Sequence, residues 1–288
     1  MPYRCFDVSF ERQIAHIVLC RPEKRNSMIL EFWDELPRLI AEIDEEARAR
    51  VIVISSTGPH FSSGIDVSAL VGGDDSAQPG DAPPVSHIAR QRGARFYATV
   101  QRMQRSFSCL EQCRIPVLAA IQGGCIGGAV DLVTACDMRY ATADAFFTIY
   151  EINLALTADV GTFPRILRCL PDGLARELAY TGRRMSASEA LSSGLVNAVL
   201  PDPAALLEHV LGVAREIASK APLATYGTKR MLGYARDHST ADALDYVALW
   251  NAGMLQVDEI AEAMRAHAEK RPGEFAELPR IRRVPSEE

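Results

Sequence analysis

The most restrictive feature of this chain is a glycine-rich run, Gly123–Ala129 (GGCIGGA), between an apolar segment and a helical one. The segment before it, Pro116–Ile121 (PVLAAI), reads as a buried strand. The segment after it, Asp131–Ala135, continues as a helix. A strand that feeds a helix through glycines calls for an α/β layer. Glycine lets backbone approach a ligand closely, and the first N–H groups of a helix have no partner within it. Such groups can hold a phosphate or a developing oxyanion. Asp131 falls three residues after Gly128, on the first helical turn. The run is equally readable as a tight turn with close strand–helix packing, with Asp131 complementing the helix dipole. Spacing alone leaves both readings open.

The flanking sequence predicts alternating strands and helices. Residues 3–10 and 14–20 read as two extended segments joined by a turn at 11–13. A helix is expected from Leu30 to Glu46, where Phe32, Trp33, Leu36, Leu39, Ile40 and Ile43 share one face. Pro37 lies inside it and predicts a kink or a late start. Val51–Ser55 (VIVIS) is β-branched enough for a buried strand. A helix over 85–112 precedes the glycine run, and short strands are expected at 137–140 and 145–148. Beyond Pro164 the pattern is helical over 172–181, 186–192, 203–219, 222–235, 240–252 and 255–269, with a strand at 195–200. We therefore expect an α/β core over 1–202 and a helical region over 203–288. Residues 72–84, rich in Gly, Pro and Asp, are the best candidate for a mobile loop. Residues 274–288 read as a solvated acidic tail.

Composition narrows the function. The net charge of −6 argues against nucleic acid as the main partner. The seven cysteines show no framework spacing and read as reduced, mostly buried thiols. No Cys or His pair is spaced for a metal site. No apolar run is long enough to span a bilayer. With no secretory or peroxisomal signal evident, a cytoplasmic location is expected. Ser62 and Ser63 in FSSGID (61–66) lack the elbow of a serine hydrolase. That loop follows a buried strand, at the end where α/β proteins place ligands. Glu151 and Asp159 sit in a largely apolar stretch, YEINLALTADVG (150–161). Desolvated carboxylates gain pKa and become acids or bases near neutrality. Helix capping or pairing with surface arginines explains them as readily.

Taken in order, RPEKRN (21–26), HFSSGID (60–66), IPVLAAIQGGCIGGAVDLVTACDMRYA (115–141) and residues 145–161 resemble the enoyl-CoA hydratase/isomerase (crotonase) family. The resemblance covers about residues 5–270. It implies a spiral of ββα units with a C-terminal helical region that builds trimers or hexamers. It also implies an acyl-CoA thioester substrate and no separate cofactor, since coenzyme A arrives as part of the substrate. By motif position, the backbone N–H groups of Ile65 and Gly128 would form the oxyanion hole. Arg25, Ser27, Met28, Phe61, Ser63, Gly64 and Asp66 would lie along the substrate, although buried packing explains Met28 and Phe61 as readily. Arg21 and Lys24 are further candidates for the pyrophosphate. GGCIGG, VDLVTACD, DAFF, ADVGT and YARDHS (234–239) are similar to the family's dienoyl-CoA isomerases. In that branch the positions of Glu151 and Asp159 flank a diene. The resemblance implies Glu151 as base at carbon 2, Asp159 as acid at carbon 6, and Asp131 as a third acid tuning the pair. Hydration, a 3-to-2 double-bond shift, and a non-enzymatic RNA-binding or scaffold role are the other expectations. Ala129 departs from the family's third glycine, with a narrower pocket or shifted helix start as the expected effect.

Overall fold

The computed structural model describes residues 3–66 and 85–281. The expected mobile loop at 72–84 lies outside the described residues. Strands β1 (Phe6–Glu11) and β2 (Ile14–Leu19) form an antiparallel hairpin. Arg12 and Gln13 at its tip both have positive φ, 48° and 64°. That is the pattern of a type I′ turn, whose twist matches the flanking strands. Next come α1 (Phe32–Glu45), β3 (Val51–Ser56), α2 (Val85–Gln112), β4 (Val117–Ile121), β5 (Gly124–Ile126) and α3 (Gly128–Thr134). They are followed by β6 (Met138–Thr142), β7 (Phe146–Thr148), a 3-10 turn at Tyr150–Leu154, α4 (Thr162–Ile166), α5 (Asp172–Thr181) and β8 (Met185–Ser186). The chain continues through α6 (Ala187–Ser193), β9 (Ala198–Leu200), α7 (Pro203–Ala218), α8 (Pro222–Asp237), α9 (Thr240–Met254) and α10 (Val257–Glu269).

The larger sheet has the order β1-β2-β3-β4-β6-β9, parallel from β2 onward. The smaller has the order β5-β7-β8. Alternation along the strands builds two cores, as the period-2 geometry of a strand requires. Ile52, Ile54, Val117, Ala119 and Ile121 face the main core with α1, α2 and α3. Val51, Val53, Leu118 and Ala120 face the other side, where Leu206, Val210 and Ala214 of α7 cover them.

Helix α1 runs through Pro37 without ending. Proline removes the N–H that would bond the Trp33 carbonyl. Ser106 Oγ of α2 donates to that carbonyl instead, at 2.7 Å. The aromatic side chains pack at the same seam, with Trp33 and Phe107 rings 5.4 Å apart.

Two expectations need correction. The glycine run is not one turn. It contains the three-residue strand β5, held by pairing with β7 and by a bridge between Ser62 and Cys125. Helix α3 accordingly starts at Gly128 rather than Asp131, and the Ala129 methyl is fully buried in the core. The second correction concerns the chain's end. Residues 274–281 are mostly exposed, but they dock on the core instead of trailing free. Glu277 pairs with Arg50 at 2.8 Å, Leu278 is buried, and Ile281 N–H donates to the Glu45 carbonyl at 2.8 Å. All seven cysteines are free thiols. Among the described residues no group of three or more potential ligands is placed for a metal. No described helix is long and apolar enough to cross a membrane.

Candidate active site

The site begins with two loops zipped together like short parallel strands. Asn26 is buried and acts as the clasp. Its Oδ1 accepts from the Arg21 amide, its Nδ2 donates to Thr57 and His60 carbonyls, and its carbonyl accepts Ser62 Oγ at 2.8 Å. Ser63 N–H then donates to the Arg25 carbonyl, Met28 N–H to the Gly64 carbonyl, and Asp66 N–H to the Met28 carbonyl. Ser27 Oγ donates to Asp66 Oδ2 at 3.2 Å. Bonds in a strand pair alternate sides. Because Gly64 and Asp66 bond toward Met28, the N–H of Ile65 faces the other way.

What it faces is the glycine run. A Cβ added at Gly64 would stand 2.5 Å from the Ile126 carbonyl oxygen and 3.0 Å from Gly128 N, so only a glycine permits this approach. A Cβ at Gly128 would stand 3.5 Å from Ile65 N. Gly127 turns the chain with φ 54° and ψ −122°, a conformation reserved for glycine. The amide of Gly128 thereby becomes the first of α3. Among the described residues, neither Ile65 N–H nor Gly128 N–H donates a hydrogen bond. Two adjacent unpaired donors are what a developing oxyanion requires.

Glu151 lies beside these donors, and Asp131 and Asp159 act on its charge. The Glu151 side chain lies over Gly127, and its Oε2 is buried with no hydrogen-bond partner among the described residues. Burial, then the negative charge of Asp131 and of Asp159, pushes its carboxyl up to about 7. Asp131 is buried on α3, where its Oδ1 accepts Thr162 N–H at 2.6 Å. Burial pushes Asp131 up to about 6, against the pull of Thr162 and the Arg165 guanidinium. Asp159 is half-buried and raised by desolvation, and its carbonyl accepts Gln104 Nε2 at 2.7 Å. Glu151 and Asp131 are therefore both brought close to neutrality, and Asp159 is shifted in the same direction.

Two cavities adjoin this centre. One, of 350 Å³, is lined by Glu151 with Ile149, Leu156, Ala158, Phe163 and Ile166. The other, of 430 Å³, is lined by Met28, Leu30, Trp33, Ile65, Asp66 and Met103. The first is mostly apolar, the usual character of a small-molecule site, while Glu31, Asp34, Thr99 and Arg102 add polar and charged groups to the second. Asp131 and Asp159 line neither.

The remaining expected residues divide. Met28 is buried, with its sulfur 3.3 Å from the position a Gly128 Cβ would occupy, so it forms part of the wall behind the donors. Arg25 presents its carbonyl to Ser63 and leaves its side chain exposed, as Lys24 does. Arg21 Nη1 is bound to the Ser27 carbonyl. Phe61 is a correction. It is fully buried in the main core and has no surface to offer a ligand. Phe61 lies in the loop after β3, where its N–H is held by the Gln122 carbonyl at 2.7 Å. Asn26, Gly127, Thr162 and Gln104 serve the site without having been singled out from the sequence. Of these, only Gly127 had a readable signal, its place immediately before a helix start.

The comparisons agree with this geometry. The family described as enoyl-CoA hydratase/isomerase matches residues 9–278. The rat mitochondrial protein named Delta(3,5)-Delta(2,4)-dienoyl-CoA isomerase is 43% identical over 266 residues, covering 91% of this chain and 79% of the relative. The Arabidopsis thaliana peroxisomal protein of that name is 40% identical over 269 residues, covering 93% and 94%. The crystal structure of an enoyl-CoA hydratase from Bacillus anthracis superimposes with a TM-score of 0.82 at 29% identity, covering 94% of this chain and 99% of that one. With two free backbone donors, a glycine-opened helix start and this extent of match, the chain belongs to the enoyl-CoA hydratase/isomerase family.

Proposed function

We propose that this protein isomerises 3,5-dienoyl-CoA to 2,4-dienoyl-CoA in fatty-acid β-oxidation. The observation that carries the reading is the desolvated Glu151 carboxyl, one oxygen of it buried without a partner among the described residues, lying on the glycine that precedes a free N–H donor. The relatives that bear the dienoyl-CoA isomerase name support the same reading.

In this mechanism the thioester oxygen sits between Ile65 N–H and Gly128 N–H. Charge arriving on that oxygen acidifies the carbon-2 proton, and each donor contributes roughly 3 kcal/mol if losses in other enzymes are a guide. Glu151, nearest the donors, takes that proton. The electron pair spreads through the conjugated system, and Asp159 delivers a proton to carbon 6. One C–H bond breaks and one forms, so no redox partner or metal is required. Glu151 is then protonated and Asp159 ionised, and proton exchange between them resets the enzyme. Asp131 adds negative charge that keeps Glu151 basic. The contact of Glu151 with Gly127 supports its role, and in the free enzyme Glu151 holds a proton up to about pH 7.

A trimeric or hexameric assembly and a cytoplasmic location belong to the same proposal. Leu232, Leu244, Leu249, Val257 and Met264 of α8–α10 are 64–71% exposed, an apolar surface that a second copy would cover. Sedimentation equilibrium tests the assembly and cell fractionation the location. An RNA-binding or scaffold role finds no support in the net charge of −6 or the retained acids.

The deciding experiment is a spectrophotometric assay with 3,5-octadienoyl-CoA, following the conjugated product. A rise that depends on Glu151 and Asp159 supports the isomerase. Water addition to crotonyl-CoA without such a rise makes the protein a hydratase built on Asp131 and Glu151.

A further inference from the structure

Helix α2 grips the acid-bearing segment 159–165 at both ends. Gln104 takes the Asp159 carbonyl. One and two turns further along the same helix face, Ser108 and Glu111 take the guanidinium of Arg165. Arg165 Nε and Nη2 both donate to Glu111 Oε2, at 2.9 and 2.7 Å, and Nη2 also reaches Ser108 Oγ at 3.1 Å. Arg236 of α8 pairs with the other Glu111 oxygen. The Arg165 side chain is 10% exposed, and its Nη1 is buried with no partner among the described residues. It packs so closely on Gly161 that a Cβ there would collide with the guanidinium. Between the two grips, Thr162 N–H meets Asp131.

We infer that Arg165 is a positioning residue for the proton-transfer site, clamping 159–165 onto α2 so that Thr162 stays on Asp131 and an ionised Asp131 stays beside Glu151. An anchored, desolvated guanidinium is a fixed positive charge. Asp131 accepts the Thr162 N–H, and Arg165 of α4, Asp159, Glu151 and the Cys125 thiol of β5 are the charged or titratable groups that interact with it electrostatically. Arg165 supplies the one positive charge in that set and favours the ionised form of Asp131. The Asp131 charge in turn favours the proton on Glu151. Without Arg165, the proton moves from Glu151 to Asp131.

The inference rests on the carboxyl roles above, but its main readout needs no turnover. Infrared titration of the ligand-free enzyme, differenced against Glu151→Gln, follows the Glu151 carboxyl. In Arg165→Met that carboxyl ionises about one pH unit lower or more. In the Asp131→Asn background, Arg165→Met adds no further shift, because the effect travels through Asp131. Arg165→Lys keeps the charge and restores the titration, while its lost fork leaves kcat roughly tenfold to a hundredfold low. KM for the dienoyl thioester changes less than about threefold in these variants. An unshifted Glu151 titration in Arg165→Met overturns the inference, as does an equal shift with Asp131 already replaced. Should Arg165→Met not fold, Glu111→Ala is read instead. It removes both carboxylate bonds to the guanidinium while leaving its charge, and unaltered kcat there overturns the clamp. If the protein proves to act on a different acyl thioester, the infrared result still stands or falls by itself.

Discussion

The carboxylate of Glu151 rests on the bare backbone of Gly127. A Cβ at that glycine would stand 3.0 Å from Glu151 Oε1. Alanine at 127 would therefore strain the backbone and push the base away together. We expect Gly127→Ala to lose about 1–3 kcal/mol of stability. Turnover should fall roughly a hundredfold, since a displacement of about 1 Å is enough for that. Thermal melts and steady-state kinetics on the same preparation check both. A variant that is destabilised yet fully active would remove the Glu151–Gly127 contact from the mechanism.

Glu151→Gln keeps the shape and loses the base. We expect kcat to fall about 10²- to 10⁴-fold, the range for a general acid–base group, with circular dichroism unchanged. Asp159→Asn should slow proton delivery at carbon 6 by a smaller factor within that range. Deuterium incorporation from D₂O at the two carbons separates them. Turnover retained by both variants would leave the chain without the proposed chemistry.

The raised carboxyls make two pH predictions. The cycle needs one proton on the pair, so kcat/KM should be bell-shaped, with its alkaline limb near pH 7 where Glu151 loses its proton. A plateau well into alkaline pH would contradict it. Stability follows the same group with a definite sign. The folded carboxyl of Glu151 titrates at about 7 against an ordinary 4.5, so the folded state holds the extra proton between those values. Stabilisation from this site is complete below the lower value and is lost as pH rises through the upper one. Glu151→Gln has no such slope and should gain on the wild type by up to about 3 kcal/mol across that window. Parallel melting curves for the two proteins would deny it.

Ser106 carries a stability prediction remote from the chemistry. Its hydroxyl replaces the hydrogen bond that Pro37 denies to the Trp33 carbonyl. Ser106 is fully buried, so water has no ready route to that carbonyl. Ser106→Ala should cost about 1–3 kcal/mol, the penalty of an unsatisfied buried acceptor. Denaturant titration measures it, and an unshifted midpoint would mean the carbonyl finds another donor.

The periodic elements were legible in the sequence because their signals are local. The apolar stripe of α1, the β-branched run of β3 and the continuous apolar run of β4 each specify an element unaided. Strand β5 was not legible. Three residues inside a glycine-rich run are too few to announce a strand, and partners from distant segments make them extended. The acids Glu151, Asp159 and Asp131 stood out as carboxylates in apolar surroundings. Thr162 contributes an amide that any residue would carry, so its side chain announced nothing. Phe61 misled because an aromatic beside a glycine loop suits a groove as well as a core. Leu278 was hidden among charged neighbours, and its burial depends on where the end of the chain returns.

The pair of free amides has one more consequence. Ile65 and Gly128 lie on separate segments, brought together by the clasp of Asn26 and the bridge between Ser62 and Cys125. Their spacing exists only when both loops are docked. A chain that keeps its helices but loses this docking keeps its spectrum and loses its catalytic geometry. Activity thus works as a ruler for native tertiary order, falling before any optical measure of secondary structure as the protein begins to loosen.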